Sequence, residues 1–139
     1  RILEVYNKAL FIGIIILTFF GILIYLTADI SMSLFTKNTE VIYYGSNYLK
    51  ISAFMFPAFP FFFVGNATFQ GMKRAIIVMY MAILRFVFMP IIILILIIYK
   101  INQDYNYMFY GLVLMHWSIA IFYYKFSKIK FKKILNMNY

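Results

Sequence analysis

The sequence contains no cysteine, and only 4 of its 139 residues are Asp or Glu. Without cysteine there is no disulfide, no thiol nucleophile and no thiolate metal site, and the redox compartment is left open. The four acids, Glu4, Asp29, Glu40 and Asp104, sit near the ends of apolar runs, so no pair of carboxylates shares one depth for acid–base chemistry. A Ser/His/Asp set, a glycine-rich phosphate loop and a cluster of metal ligands are also missing from the pattern. The chain does not read as an enzyme, and no residue is assigned a catalytic or metal-binding role.

Charge of either sign is scarce. Charged residues make up 12% and hydrophobic ones 65% of the chain, 22% being aromatic, where soluble domains carry roughly 25% charge. Such a chain could bury a core but could not cover it with water-compatible surface, which puts it in the membrane class. The net charge of +9 would suggest nucleic acid in a soluble protein. Here five lysines (Lys125, Lys128, Lys130, Lys132 and Lys133) fall in the last fifteen residues. They read as anchors beside anionic lipid head groups on the cytoplasmic side, with no nucleic-acid partner.

The charge-poor runs predict an all-α polytopic membrane protein with four transmembrane helices. The first covers Ala9–Ala28, 20 uncharged residues, with Gly13 and Gly21 permitting close helix approach. Residues 29–38 read as a loop, and Thr39 as an N-cap with Glu40 at the positive end of the helix dipole. The second helix, 41–71, is longer than one crossing requires and must bend, tilt or lie partly in the interface; Tyr43, Tyr44 and Tyr48 suit the head-group region. A tight turn at Gly71–Arg74 leads to the third helix, 75–99. A polar loop from Lys100 precedes the fourth, 107–125, the shortest and least apolar, and a basic tail fills 126–139. The chain opens on Arg1 with no leader and reads as a piece of a longer protein.

Counting cations sets an orientation. With both ends inside, Arg1, Lys8, Lys73, Arg74 and the five tail lysines share the cytoplasmic side, nine against three (Lys37, Lys50 and Lys100) on the other.

The stretch between Lys50 and Lys73 organises the rest. Its 22 uncharged residues contain Pro57, Pro60, Gly65, Asn66, Gln70 and Gly71. Proline and amides leave polar groups that hydrocarbon cannot satisfy, so this helix is expected to be kinked and to face protein or a water-filled cavity. Pro57, Pro60 and, on the third helix, Pro90 are the expected hinges.

The run LFTKNTEVIYYGSNYLKISAFMFP, then FQGMKR, then LRFVFMP at Leu84–Pro90 resembles the C-terminal third of a multidrug and toxic compound extrusion (MATE) transporter, helices nine to twelve of twelve. The resemblance covers nearly all of the chain through the order and spacing of short motifs. It implies part of a six-helix lobe beside a central cavity. It further implies a proton- or sodium-coupled antiporter exporting amphipathic organic compounds, the remaining helices of the transporter as partners, and no other cofactor. Some sodium-coupled members carry an acid where this sequence has Phe59, so the coupling carboxylate is expected outside these residues. A lipid-linked oligosaccharide flippase of the same superfamily and a non-transporting four-helix membrane protein are the alternatives.

Phe59, Phe63, Asn66 and Gln70 follow at i, i+4, i+7 and i+11, one stripe of a helix. They are the candidate cavity wall, rings for a lipophilic cation and amides for orientation, with helix packing as the plainer reading. Arg85 lies ten residues past Ala75, about 15 Å along the helix and near mid-membrane. Its expected partners are backbone carbonyls such as that of Phe86, freed by Pro90, the amides of Asn66 or Gln70, or an acid elsewhere. A structural clamp is the preferred role, because a cavity arginine would repel cationic substrates. His116 reads as an interior hydrogen-bonding group, with a proton relay as the alternative.

Overall fold

The computed structural model describes residues 2–88, 90–92, 95 and 106–136. Among them every regular element is helical. α1 (Ile2–Phe35) has 34 residues, about 51 Å at 1.5 Å per residue, well beyond a hydrocarbon core of about 30 Å. It runs on through Asp29, where a loop was expected. The polar side chains there are satisfied without leaving the helix. Thr27 Oγ1 donates to the Leu23 carbonyl and Ser33 Oγ to the Ile30 carbonyl, while Asp29 accepts from Lys50 at 2.6 Å.

α2 (Thr39–Ala53) is capped by Asn38, one residue earlier than expected. The Asn38 Oδ1 accepts from the Glu40 N–H at 2.9 Å and the Val41 N–H at 3.4 Å, filling two of the orphan donors of a helix start. α2 ends where proline predicts. A 3-10 turn (Phe56–Ala58) holds Pro57 in its first turn, and α3 (Phe59–Gly71) holds Pro60 in its first turn. Each proline lacks the N–H that would continue the preceding helix. The chain then turns at Met72–Arg74 with Arg74 N–H on the Phe69 carbonyl and Lys73 N–H on that of Gln70. This is a Schellman closure in which Lys73 takes a φ of 57°.

α4 (Ala75–Ile83) passes into a π-helical turn (Leu84–Phe88) that carries Arg85. Pro90 follows, and its missing N–H at the Phe86 carbonyl favours a local change of winding. Of the expected third crossing, residues 89, 93, 94 and 96–99 lie outside the described residues, as do Lys100 and Asp104.

α5 (Asn106–Asn136) has 31 residues and unites the expected fourth crossing with most of the expected basic tail. The tail is helical because its inner face is packed: Phe131 is fully buried, edge-on to Tyr6 at 5.0 Å and against Phe69 at 4.7 Å.

The core lies where α1, α3 and α5 meet, around Tyr6, Phe62, Phe69, Tyr123 and Phe131. α1 approaches the proline break closely. A Cβ built on Gly21 would lie 2.9 Å from the Ala53 carbonyl oxygen, and one on Gly13 would lie 3.1 Å from Pro60 Cβ. The close approach expected of both glycines is present. Outward-facing positions are apolar, among them Phe11, Ile15, Phe19 and Leu26 on α1 and Ile76 and Tyr80 on α4. Among the described residues three helical stretches, Ile2–Phe35, Thr39–Gly71 and Ala75–Ile92, are long and apolar enough to cross a membrane. The expected fourth crossing lies within α5, where His116, Trp117 and Tyr110, Tyr123 and Tyr124 lower the hydropathy.

Contacts of Tyr6 with Phe131 and of Phe69 with Phe126 and Phe131 bring the start of α1, the end of α3 and the end of α5 together. Lys8, Lys73, Arg74 and the lysines of α5 therefore gather toward one end of the bundle. The Asp29–Lys50 pair lies toward the other.

Candidate functional site

Irregular backbone at membrane depth leaves carbonyls that need donors, and the break between α2 and α3 supplies one such group. The Ala58 N–H turns back to the Met55 carbonyl in 3-10 fashion, which frees the Phe54 carbonyl. The indole Nε1–H of Trp117 on α5 donates to it at 3.0 Å. An apolar notch of about 250 Å³ opens beside the break, lined by Thr18, Gly21, Tyr25, Phe54 and Pro57 among others. The stretch with the expected hinges Pro57 and Pro60 is thus interrupted between α2 and α3, and the interruption is held by a side chain 63 positions away.

One turn further, α3 meets the π-helical turn. The Arg85 guanidinium lies over the ring of Phe62 at 4.1 Å, with Phe86 at 5.1 Å and Phe59 at 5.4 Å, all within the range of cation–π attraction. Arg85 Nη2 donates to His116 Nε2 at 2.9 Å. A guanidinium has only donors, so this ring nitrogen is the acceptor and a neutral His116 carries its proton on Nδ1. Phe59 and Phe62 stand edge-on to the same imidazole at 5.4 and 6.1 Å. Two polar atoms of the cluster, Arg85 Nε and His116 Nδ1, are buried with no hydrogen-bond partner.

Among the described residues the side-chain partner of Arg85 is His116, in place of the expected amides. The Asn66 amide is engaged elsewhere, its Oδ1 accepting from the Tyr123 hydroxyl at 2.6 Å. Gln70 is exposed near the far end of α3. His116 fills the hydrogen-bonding role read for it. The four stripe residues have different neighbours: Phe59 joins Arg85 and His116, and Asn66 links α3 to α5. Phe63, 62% exposed, lines an apolar groove of about 750 Å³ between the start of α1 and α3, together with Val5, Ala9, Ala67 and Thr68.

Phe62, Trp117 and Tyr123 make contacts at this site that the stripe pattern missed. Phe62 lies one position off the stripe, and the other two act across distances in sequence that periodicity does not register. No group of three His, Asp or Glu side chains that could hold a metal ion occurs among the described residues.

A family model described as MatE matches residues 1–96. That span includes the proline break, the three phenylalanines and Arg85, while His116 and Trp117 lie beyond it. No curated protein and no solved structure matches the chain.

Proposed function

The chain belongs to the MatE family, and on that basis we propose that it acts in cation-coupled export of amphipathic organic compounds across the cytoplasmic membrane. Family membership together with its apolar helices makes it a multi-pass membrane protein and a transporter of MATE type in general. Export, its substrates and the coupling are our reading. The observation that carries it is the break at Phe54–Ala58, in a stretch apolar enough to cross a bilayer, next to a polar cluster walled by phenylalanine. Interrupted helices beside polar groups at mid-membrane are how transporters build binding sites and let repeats rock. A plain anchor needs neither.

In this reading Pro57, Pro60 and Pro90 let helix segments change angle while Gly13 and Gly21 keep α1 in contact. Phe59 and Phe63 contribute to the substrate cavity, with Asn66 and Gln70 as lesser candidates. The coupling ion is H⁺ or Na⁺ and is carried by an acid outside these residues. The remaining helices of a two-lobed transporter are the partners, and the cation-rich end of the bundle faces the cytoplasm.

The test is accumulation of ethidium or norfloxacin in drug-sensitive cells expressing the full-length protein, with and without a proton or sodium gradient. Gradient-dependent loss of the compound supports export and identifies the ion. Unchanged accumulation under both gradients, with protein confirmed in the membrane, contradicts it and favours a lipid-linked oligosaccharide flippase.

A further inference from the structure

We infer that the Arg85–His116 cluster is a receptor for the carboxylate of an amphipathic substrate, whose aromatic body lies against Phe59 and Phe86. The inference rests on the export reading and names the substrate class of that site. Three observations carry it. First, the cluster is a cation without a counter-charge. Arg85 makes no ion pair among the described residues, and the Asp29–Lys50 pair belongs to the other end of α1. A lone charge at membrane depth is expensive and usually marks a ligand path or an unseen partner.

Second, its unused hydrogen-bonding groups are donors. Nε–H of Arg85 and, in the tautomer set by the Nε2 contact, Nδ1–H of His116 are both buried without acceptors. The missing group is therefore an acceptor, and next to a guanidinium an anionic oxygen is the favoured one because charge-assisted bonds are the strong ones. A protonated amine has only donors and nothing to offer these atoms.

Third, three ring faces surround the guanidinium at 4.1–5.4 Å. They hold Arg85 in place; Phe62 is buried against Tyr123, while Phe86, 69% exposed, and the partly buried Phe59 offer apolar surface to a flat molecule. The same chemistry could be met by a carboxylate side chain of the protein itself, and the experiment separates the two sources.

Calorimetry on the purified full-length protein in lipid nanodiscs would compare norfloxacin, its methyl ester and ethidium. Wild type is expected to bind the acid about tenfold or more tightly than the ester, the size of a lost charge-assisted hydrogen bond. In Arg85→Gln that preference disappears, and Arg85→Lys retains part of it. Equal binding of acid and ester by wild type would overturn the inference and assign the guanidinium to an acid of the protein, a comparison that needs no variant to fold. Equal loss of all three ligands in both variants would also overturn it, leaving Arg85 a structural clamp. Export of ethidium by wild-type cells reports on the transport reading separately, so the failure of one is distinguishable from the failure of the other.

Discussion

Tyr123 shows how much one hydroxyl can organise. The residue is 1% exposed, stacks on Phe62 and Phe69, lies against Gly65, and donates to Asn66. Tyr123→Phe keeps every ring contact and leaves the Asn66 oxygen unmet. Inter-helix hydrogen bonds in membranes are worth about 0.6 kcal/mol on average and up to about 1.7, so a loss in that range is expected in thermal or denaturant unfolding in detergent. Unaltered stability would show that Asn66 finds another donor and that the bond is dispensable. At this scale the sequence was only partly readable. That Asn66 and Arg85 would need partners followed from polar groups in an apolar run. Which partners they took did not, because Tyr123 is 57 and His116 31 positions away, and helical periodicity carries no information across separate helices.

At the scale of elements, the break between α2 and α3 and the close passage of α1 are one feature. The Ala53 carbonyl, left without a proline N–H at position 57, faces Gly21. A methyl group there would meet a backbone atom that cannot step aside. Gly21→Ala is therefore expected to destabilise by about 1–3 kcal/mol, the usual range for overpacking. Gly71→Ala, with open space around it, serves as the neutral control in the same unfolding measurement. Similar effects of the two substitutions would refute the close approach.

The prolines act on the other side of the same feature. Replacing Pro57 and Pro60 together by Ala restores two N–H donors and lets the helix run straight. Transport should fall while membrane insertion is retained, measured as dye export at matched expression. Full export would remove the break from the mechanism. Proline and glycine were legible in sequence because their effects are local. The length of α1 and the helical tail were not. Both depend on tertiary contacts, the Asp29–Lys50 pair and the seating of Phe131 between Tyr6 and Phe69, which override the polar residues that otherwise mark a loop.

Among the described residues both the core and the outward-facing surface are apolar, where a soluble domain would cover its core with charge. Composition alone made that arrangement predictable, since 12% charge cannot cover a core. Of the cations that counting grouped, Lys8, Lys73, Arg74 and the lysines of α5 are also brought toward one end by the packing of α1, α3 and α5. What composition could not supply is the Arg85–His116 cluster, which exists only once α3, the π-helical turn and α5 are assembled. The most direct test of the account is reconstitution of the purified full-length protein into proteoliposomes, with an imposed proton or sodium gradient and norfloxacin as cargo. The account predicts movement of the drug that begins when one cation gradient is applied and stops when that gradient is collapsed. No gradient-dependent movement with either ion, in vesicles where the protein is folded and inserted, would contradict it.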